Sequence, residues 1–176
     1  MSSRHGAEHE APGPRDAARA PCPLCEQPGG LPVWSSAWMR LIRADEALHP
    51  ATYRLVWNTH VAEFSELPQL QRLACVDALA LVEREMLRRL RPRKINLAAL
   101  GNLVPHLHWH LIARWDWDAH WPQAVWAPQQ RAADEAALGE LRERLPALDS
   151  RLRELLQQRF AAPAHADADA DQITRE

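Results

Sequence analysis

The tightest constraint on this chain is the run His106-Leu107-His108-Trp109-His110-Leu111-Ile112. Imidazoles alternate with large apolar side chains, and a repeat of two is that of an extended strand, not a helix. Successive strand side chains point to opposite faces, so His106, His108 and His110 share one face at roughly 6–7 Å spacing. Leu107, Trp109 and Leu111 then face a core. Three aligned imidazoles admit three readings. They can be idle, although imidazole fills a core poorly. They can ligate a metal through neutral ring nitrogens. Or they can hold and attack a phosphate, one ring acting as nucleophile and its neighbours as donors.

The flanking sequence supplies the remaining elements. A chain of 176 residues fits one domain with tails. Loose alternation predicts strands over 38–44 and 53–57, with Asp45 to Pro50 as the link, and a further strand over 94–99. Gly101-Asn102 is a tight turn or bulge leading into the histidine strand, 106–115. From 67 to 90 the spacing changes to three and four, with Leu70, Leu73, Val76, Asp77, Leu79, Ala80, Val82, Met86, Leu87 and Leu90 on the expected buried stripe of a helix. Pro92 ends it. Arg84, Arg88, Arg89 and Arg91 alternate with Glu83 and Glu85 as a solvated face, and Cys75 reads as a small core residue. Helices over 131–145 and 147–160 are expected on either side of Pro146. Residues 1–20 and the Ala-Asp repeat of 161–176 read as disordered tails. Trp117, Trp121 and Trp126 suit a loop over the site, an oligomer contact, or simple closure of the core.

Composition narrows the partners. The formal net charge is −2, and no Lys/Arg cluster is large enough to track a nucleic acid. A small anion remains compatible, since one site can be positive on a near-neutral protein. No window approaches 18 consecutive apolar residues, so neither a membrane span nor secretion is expected, and a cytoplasmic location follows. Three cysteines do not make a disulfide framework. Cys22-Pro23-Leu24-Cys25 reads instead as a metal-binding or redox pair.

With the triad and its lead-in Lys94-Ile-Asn-Leu-Ala-Ala-Leu-Gly-Asn-Leu-Val-Pro105, the chain resembles the histidine-triad (HIT) superfamily of nucleotide hydrolases and transferases. It looks like the small bacterial branch described as diadenosine polyphosphate hydrolase-like. The resemblance implies an α+β fold: an antiparallel sheet of about five strands with one main helix, a HIT domain over 21–128, and a C-terminal helical extension over 129–160 outside it. It implies cleavage at the α-phosphate of a nucleoside phosphate, through a covalent nucleotidyl-histidine on His108. His110 would donate to a phosphate oxygen, and His106 would orient its neighbour or sit in a metal site. No cofactor is needed for that chemistry. A nucleotide-binding module with little turnover is the alternative.

Other residues take roles from the same resemblance. Gly101 lets backbone N–H groups approach the phosphate and Asn102 adds an amide donor. Asn96 either touches ligand or only makes local hydrogen bonds. Asp45 corresponds to an acidic residue binding ribose hydroxyls, or is a solvated loop aspartate. Some HIT proteins hold a structural zinc, and here Cys22, Cys25, His60 and His106 form the matching Cys₂His₂ set; the alternative is two idle thiols. His5, His9, His49, His120 and His165 have no matching geometry and are expected to be exposed. A homodimer is common in the family.

Overall fold

The computed structural model describes residues 21–161; the tails expected at 1–20 and beyond 161, with His5, His9 and His165, lie outside it. A five-stranded antiparallel sheet has the order β1-β2-β3-β5-β4. The strands are β1 (Leu31–Ser35), β2 (Met39–Arg43), β3 (Thr52–Trp57), β4 (Lys94–Ala99) and β5 (His108–Arg114). β1 has no alternating signal and was not among the strands expected from the residues. It pairs with β2 across a bulge between Pro32 and Trp34, which breaks the period-two pattern that reading relies on. β5 starts at His108, so His106 stands in the loop before the strand and not on it.

One face of the sheet is covered by α2 (Gln69–Leu90), where Leu41, Tyr53, Leu55, Ile95, Leu111 and Ala113 join the core. The helix starts after Pro68; Ser65 belongs to a separate 3₁₀ turn, Phe64–Glu66, in which Glu66 accepts from the Glu63 N–H at 2.7 Å. It ends at Arg91, whose left-handed φ of 53° closes the last turn onto the Leu87 carbonyl. The expected apolar stripe is really two. Cys75, Ala78, Leu79, Val82, Met86 and Leu90 are buried, whereas Leu70, Leu73, Val76 and Leu87 are exposed. A single sheet covers only one side of a helix, and the small residues Cys75 and Ala78 allow the closer approach. Glu85, expected on the solvated side, is buried and held by Arg88 and Arg89 at 2.6 Å each.

The two C-terminal helices expected about Pro146 are one helix, α3 (Glu135–Phe160), with the proline inside it. Leu138, Leu141, Leu145, Leu148, Leu152 and Leu156 form an unbroken buried stripe across that position. A proline in a helix interior costs about 3 kcal/mol, and each fully buried leucine contributes about 1.5–3 kcal/mol. Six leucines outweigh one proline. Asp134 caps the helix by accepting from the Ala137 N–H at 3.0 Å. α3 packs on α2 and β1 and shares their core. Buried Asp149 anchors it to the sheet, accepting from the Tyr53 hydroxyl at 2.7 Å and Arg43 Nε at 3.0 Å.

The other sheet face carries the histidines. Antiparallel partners project to one side, and the register pairs Val56 with His108, Arg54 with His110, and Ala98 with His110. A four-residue helix, α1 (Pro23–Glu26), lies over this face, its Leu24 packed on Ile42 and Val56. Arg40 of β2 fastens it, donating from Nη2 to the Leu24 carbonyl at 2.6 Å and from Nε to the Pro28 carbonyl at 3.4 Å. No helix of the described residues is long and apolar enough to cross a membrane.

Candidate active site

β5 is an inner strand, flanked by β3 and β4, so its backbone is fixed from both sides. Leu107 and Leu111 are buried, as expected, while Trp109 is half-buried and packs edge-on against Phe64 at 5.6 Å. The rings of His108 and His110 lean together, their centroids 4.9 Å apart, closer than the strand repeat alone would set them. His108 Nδ1 lies 2.6 Å from the His106 carbonyl. A carbonyl only accepts, so Nδ1 carries the proton and Nε2 keeps a free lone pair.

His106 turns out to be tied in two directions. Its Nε2–H donates to the Trp57 carbonyl at 2.7 Å. Its Nδ1 lone pair therefore faces the Cys22 and Cys25 sulfurs, both at 3.4 Å. His60 Nδ1 completes the cluster 3.4 Å from Cys25 Sγ, and all four ligand atoms lie within 4.8 Å of one another. The four residues expected as a metal set thus come together from three separate parts of the chain. A tetrahedral zinc with sulfur at about 2.3 Å and nitrogen at about 2.0–2.1 Å has sulfur–nitrogen edges of about 3.5 Å. The spacing and the His106 tautomer both fit that ion.

A cavity of about 650 Å³ opens against His108 and His110, walled by the α1 segment, the 100–104 loop, Arg54 and Trp126. Gly101 and Asn102 line it. Gly101 has φ +71°, and a Cβ there would meet nothing closer than 3.6 Å. Backbone conformation, not crowding, favours glycine at this turn. Asn96 does not line this cavity; its Oδ1 accepts from Arg114 Nη1 at 2.9 Å, the local hydrogen-bonding role. Asp45 is exposed in the β2–β3 loop and does not line it either. Sequence reading missed Arg54, whose only signal was a charge inside an otherwise apolar strand.

Burial lowers the pKa of His108, with Arg54 adding to it, and pushes His110 down to about 4 with help from His108 and Arg54. Both rings are thus neutral at neutral pH. The three tryptophans divide their work. Trp117 stacks on Trp115 at 5.2 Å against the core, Trp121 lies under the Arg114 guanidinium at 5.9 Å, and Trp126, 69% exposed, walls the cavity. His49 and His120, expected to be exposed, are half-buried and buried, with His49 Nε2 2.8 Å from His120 Nδ1. His120 lies in the turn 117–121 and His49 in the β2–β3 loop, and their contact across 71 residues has no periodic signature.

The HIT domain family matches residues 35–116 of this chain. Several solved structures are similar to it. A histidine triad protein from Bradyrhizobium japonicum shares 29% identity over 71% of this chain and 92% of its own, with a TM-score of 0.59. One from Marinobacter aquaeolei VT8 shares 27% over 71% and 92%, with a TM-score of 0.57. Another, from Sinorhizobium meliloti 1021, shares 27% over 64% and 90%, with a TM-score of 0.53. No curated protein matches the chain.

Burial also pushes His49 down to about 4, against the attraction of Asp118. An imidazole whose pKa is about 4 folded and about 6.5 unfolded binds more protons in the unfolded chain between those values. Its contribution to stability is complete above pH 6.5 and is lost as pH falls toward 4. The melting temperature is expected to drop across that window, and His49→Gln to flatten the drop; a slope identical in the variant rejects the assignment.

Proposed function

The chain belongs to the histidine-triad (HIT) family, and from that premise we propose that it binds a nucleoside phosphate and cleaves it at the α-phosphate, as a hydrolase or nucleotidyl transferase. The observation that carries this reading is the His108 tautomer, which leaves a neutral nucleophilic nitrogen facing the cavity. A neutral nucleophile adds no charge to the repulsion that protects a phosphate from attack. His108 Nε2 attacks the α-phosphorus, and the bond to the leaving group breaks with its electron pair departing on that group. The resulting N-phosphoryl imidazolium keeps its Nδ1–H on the His106 carbonyl, whose dipole stabilises the new positive charge. Water then attacks phosphorus and gives up a proton to solvent, and the P–N bond breaks with its electron pair returning to His108 Nε2, which restores the neutral ring. His110, beside it, donates an N–H to a non-bridging oxygen, and Gly101 and Asn102 supply further donors from the loop. Diadenosine polyphosphates and nucleoside phosphoramidates both present the required α-phosphate.

Zinc at Cys22, Cys25, His60 and His106 would play a structural part, joining the α1 segment to the loop that follows β3 and the loop that precedes β5. The donor set of two thiolates and two imidazoles supports a closed site with no open coordination position. A homodimer would cover the surface formed by edge strand β4, with Leu97 40% exposed, and by Leu70, Leu73 and Val76 on adjacent α2.

His108→Ala is expected to lower turnover by at least about 10³-fold while nucleotide binding stays measurable, and acid quench of the wild type to trap a nucleotidyl adduct on His108 that is stable to mild alkali. Full activity in the variant removes the nucleophile assignment. Untagged protein is expected to carry about one zinc per chain, with Cys22→Ser/Cys25→Ser losing both the metal and thermal stability; a ratio near zero in the wild type rules the site out. Light scattering is expected to give twice the chain mass, and Leu73→Glu the mass of one chain. A monomeric wild type overturns the dimer.

A further inference from the structure

Among the described residues the cavity wall carries one charged side chain. Gln27 and Asn102 line it as amides, His108 and His110 as imidazoles, no carboxylate does, and Arg54 supplies the guanidinium. Its Cα is the cross-strand partner of His110, so the guanidinium stands beside the third triad histidine on the same face of the sheet. Nη2 donates to Glu46 Oε1 at 2.8 Å, and Glu46 lies on the far side, lining a neighbouring recess and not this cavity. One ion pair orients the side chain without using it up. Nε is buried with no partner among the described residues. A guanidinium in that condition gains more from a second anion than a satisfied one would, because the anion repays an uncompensated donor.

Position decides which anion. His108 and His110 take the α-phosphate in the reading given above, on which this inference rests. Arg54 is paired with His110 across the sheet and stands one same-face residue pair from His108, beside the position those rings give the α-phosphate. We propose that Arg54 selects the substrate class, holding the second phosphate of a leaving group that carries its own negative charge. The chain thereby prefers phosphoanhydrides, such as dinucleoside polyphosphates, over phosphoramidates with a neutral leaving amine. As the P–O bond breaks, charge develops on that second phosphate. Arg54 is thus a specificity residue whose attraction grows along the reaction coordinate.

The test compares kcat/KM of the full chain on diadenosine triphosphate and on adenosine phosphoramidate. A charge-assisted contact of this kind corresponds to about 10- to 100-fold. Arg54→Gln is expected to lose that much on the polyphosphate and at least about tenfold less on the phosphoramidate, with Arg54→Lys recovering part of the loss. The wild-type preference for the polyphosphate is expected to shrink as salt is raised. Equal losses on both substrates, or no loss on the polyphosphate, overturn the selecting role. Turnover of neither substrate by the wild type defeats the catalytic reading instead. Arg54 is then judged by binding: inorganic tripolyphosphate is expected to bind the wild type about tenfold more tightly than Arg54→Gln, and equal affinity rejects the proposal. Matching thermal melts of the variants establish that each has folded.

Discussion

The site depends on one hydrogen bond, His108 Nδ1–H to the His106 carbonyl at 2.6 Å. It fixes the tautomer, and the tautomer decides whether the ring nitrogen facing the cavity is a nucleophile or a donor. A contact this consequential needs a carbonyl that stays where it is. The main chain around it is tied twice, to the end of β3 by Trp57 N–H to Leu107 O at 3.0 Å and to the segment after β3 by Leu107 N–H to Val61 O at 2.7 Å. The His106 ring makes a third tie to the Trp57 carbonyl. The His106 side chain and the peptide that carries its carbonyl are therefore held by β3 and the segment that follows it, and the His108 ring inherits that rigidity.

Charge is apportioned just as unevenly. Burial keeps the two cavity-facing imidazoles neutral, which suits attack on an anion but leaves them weak at attracting one. In the proposal above the attraction comes from the Arg54 guanidinium, whose position is set by strand register. The cost is mutual: the guanidinium helps to hold both histidines below their ordinary pKa. That penalty falls on the protonated forms, which the proposed chemistry does not use. Arg40, on the same face of the adjacent strand β2, spends its donors on the carbonyls of Leu24 and Pro28 and on Asn58 Oδ1 and serves as a clamp. Two arginines of one sheet face thus differ in function because their neighbours differ, not because their type does.

Period two was enough to place His108, His110, Leu107 and Leu111 correctly, because alternation is a local property and β5 is a regular inner strand. It failed at His106, one step before pairing begins, and at β1, where a bulge destroys the repeat. Spacing of three and four located α2 but not its buried side, since two apolar stripes fit the same count and only the sheet decides between them. Pro146 was read by its local penalty, while the opposing term, a leucine stripe on both sides of it, is a sum over tertiary contacts. The four members of the Cys₂His₂ cluster were legible only through resemblance to a family, for no spacing rule links residues 22, 60 and 106. Arg54 was overlooked because a lone arginine in a strand has many explanations, and only its cavity and its unpaired Nε separate them.

The chain holds a second histidine cluster, and comparing the two shows why proximity alone does not make a metal site. His49, Asp118 and His120 also bring their ligand atoms within 4.8 Å. Asp118, however, is already fully engaged. Its Oδ1 accepts from Arg114 Nη2 and the His120 N–H, both at 3.0 Å, and its Oδ2 accepts from Arg114 Nε at 2.8 Å and the Trp115 N–H at 3.2 Å. A carboxylate has about four lone-pair directions, so none is left for an ion. Burial opposes the charge on Asp118, yet Arg114 holds its pKa below the ordinary value. A divalent cation placed here would face a buried guanidinium with no free carboxylate to offset it. At the first cluster the reverse holds: the Trp57 carbonyl takes the His106 proton and leaves a lone pair aimed at two sulfurs. The two sets differ in which lone pairs remain free: the first leaves donors that fit a metal, and the second spends its carboxylate on packing.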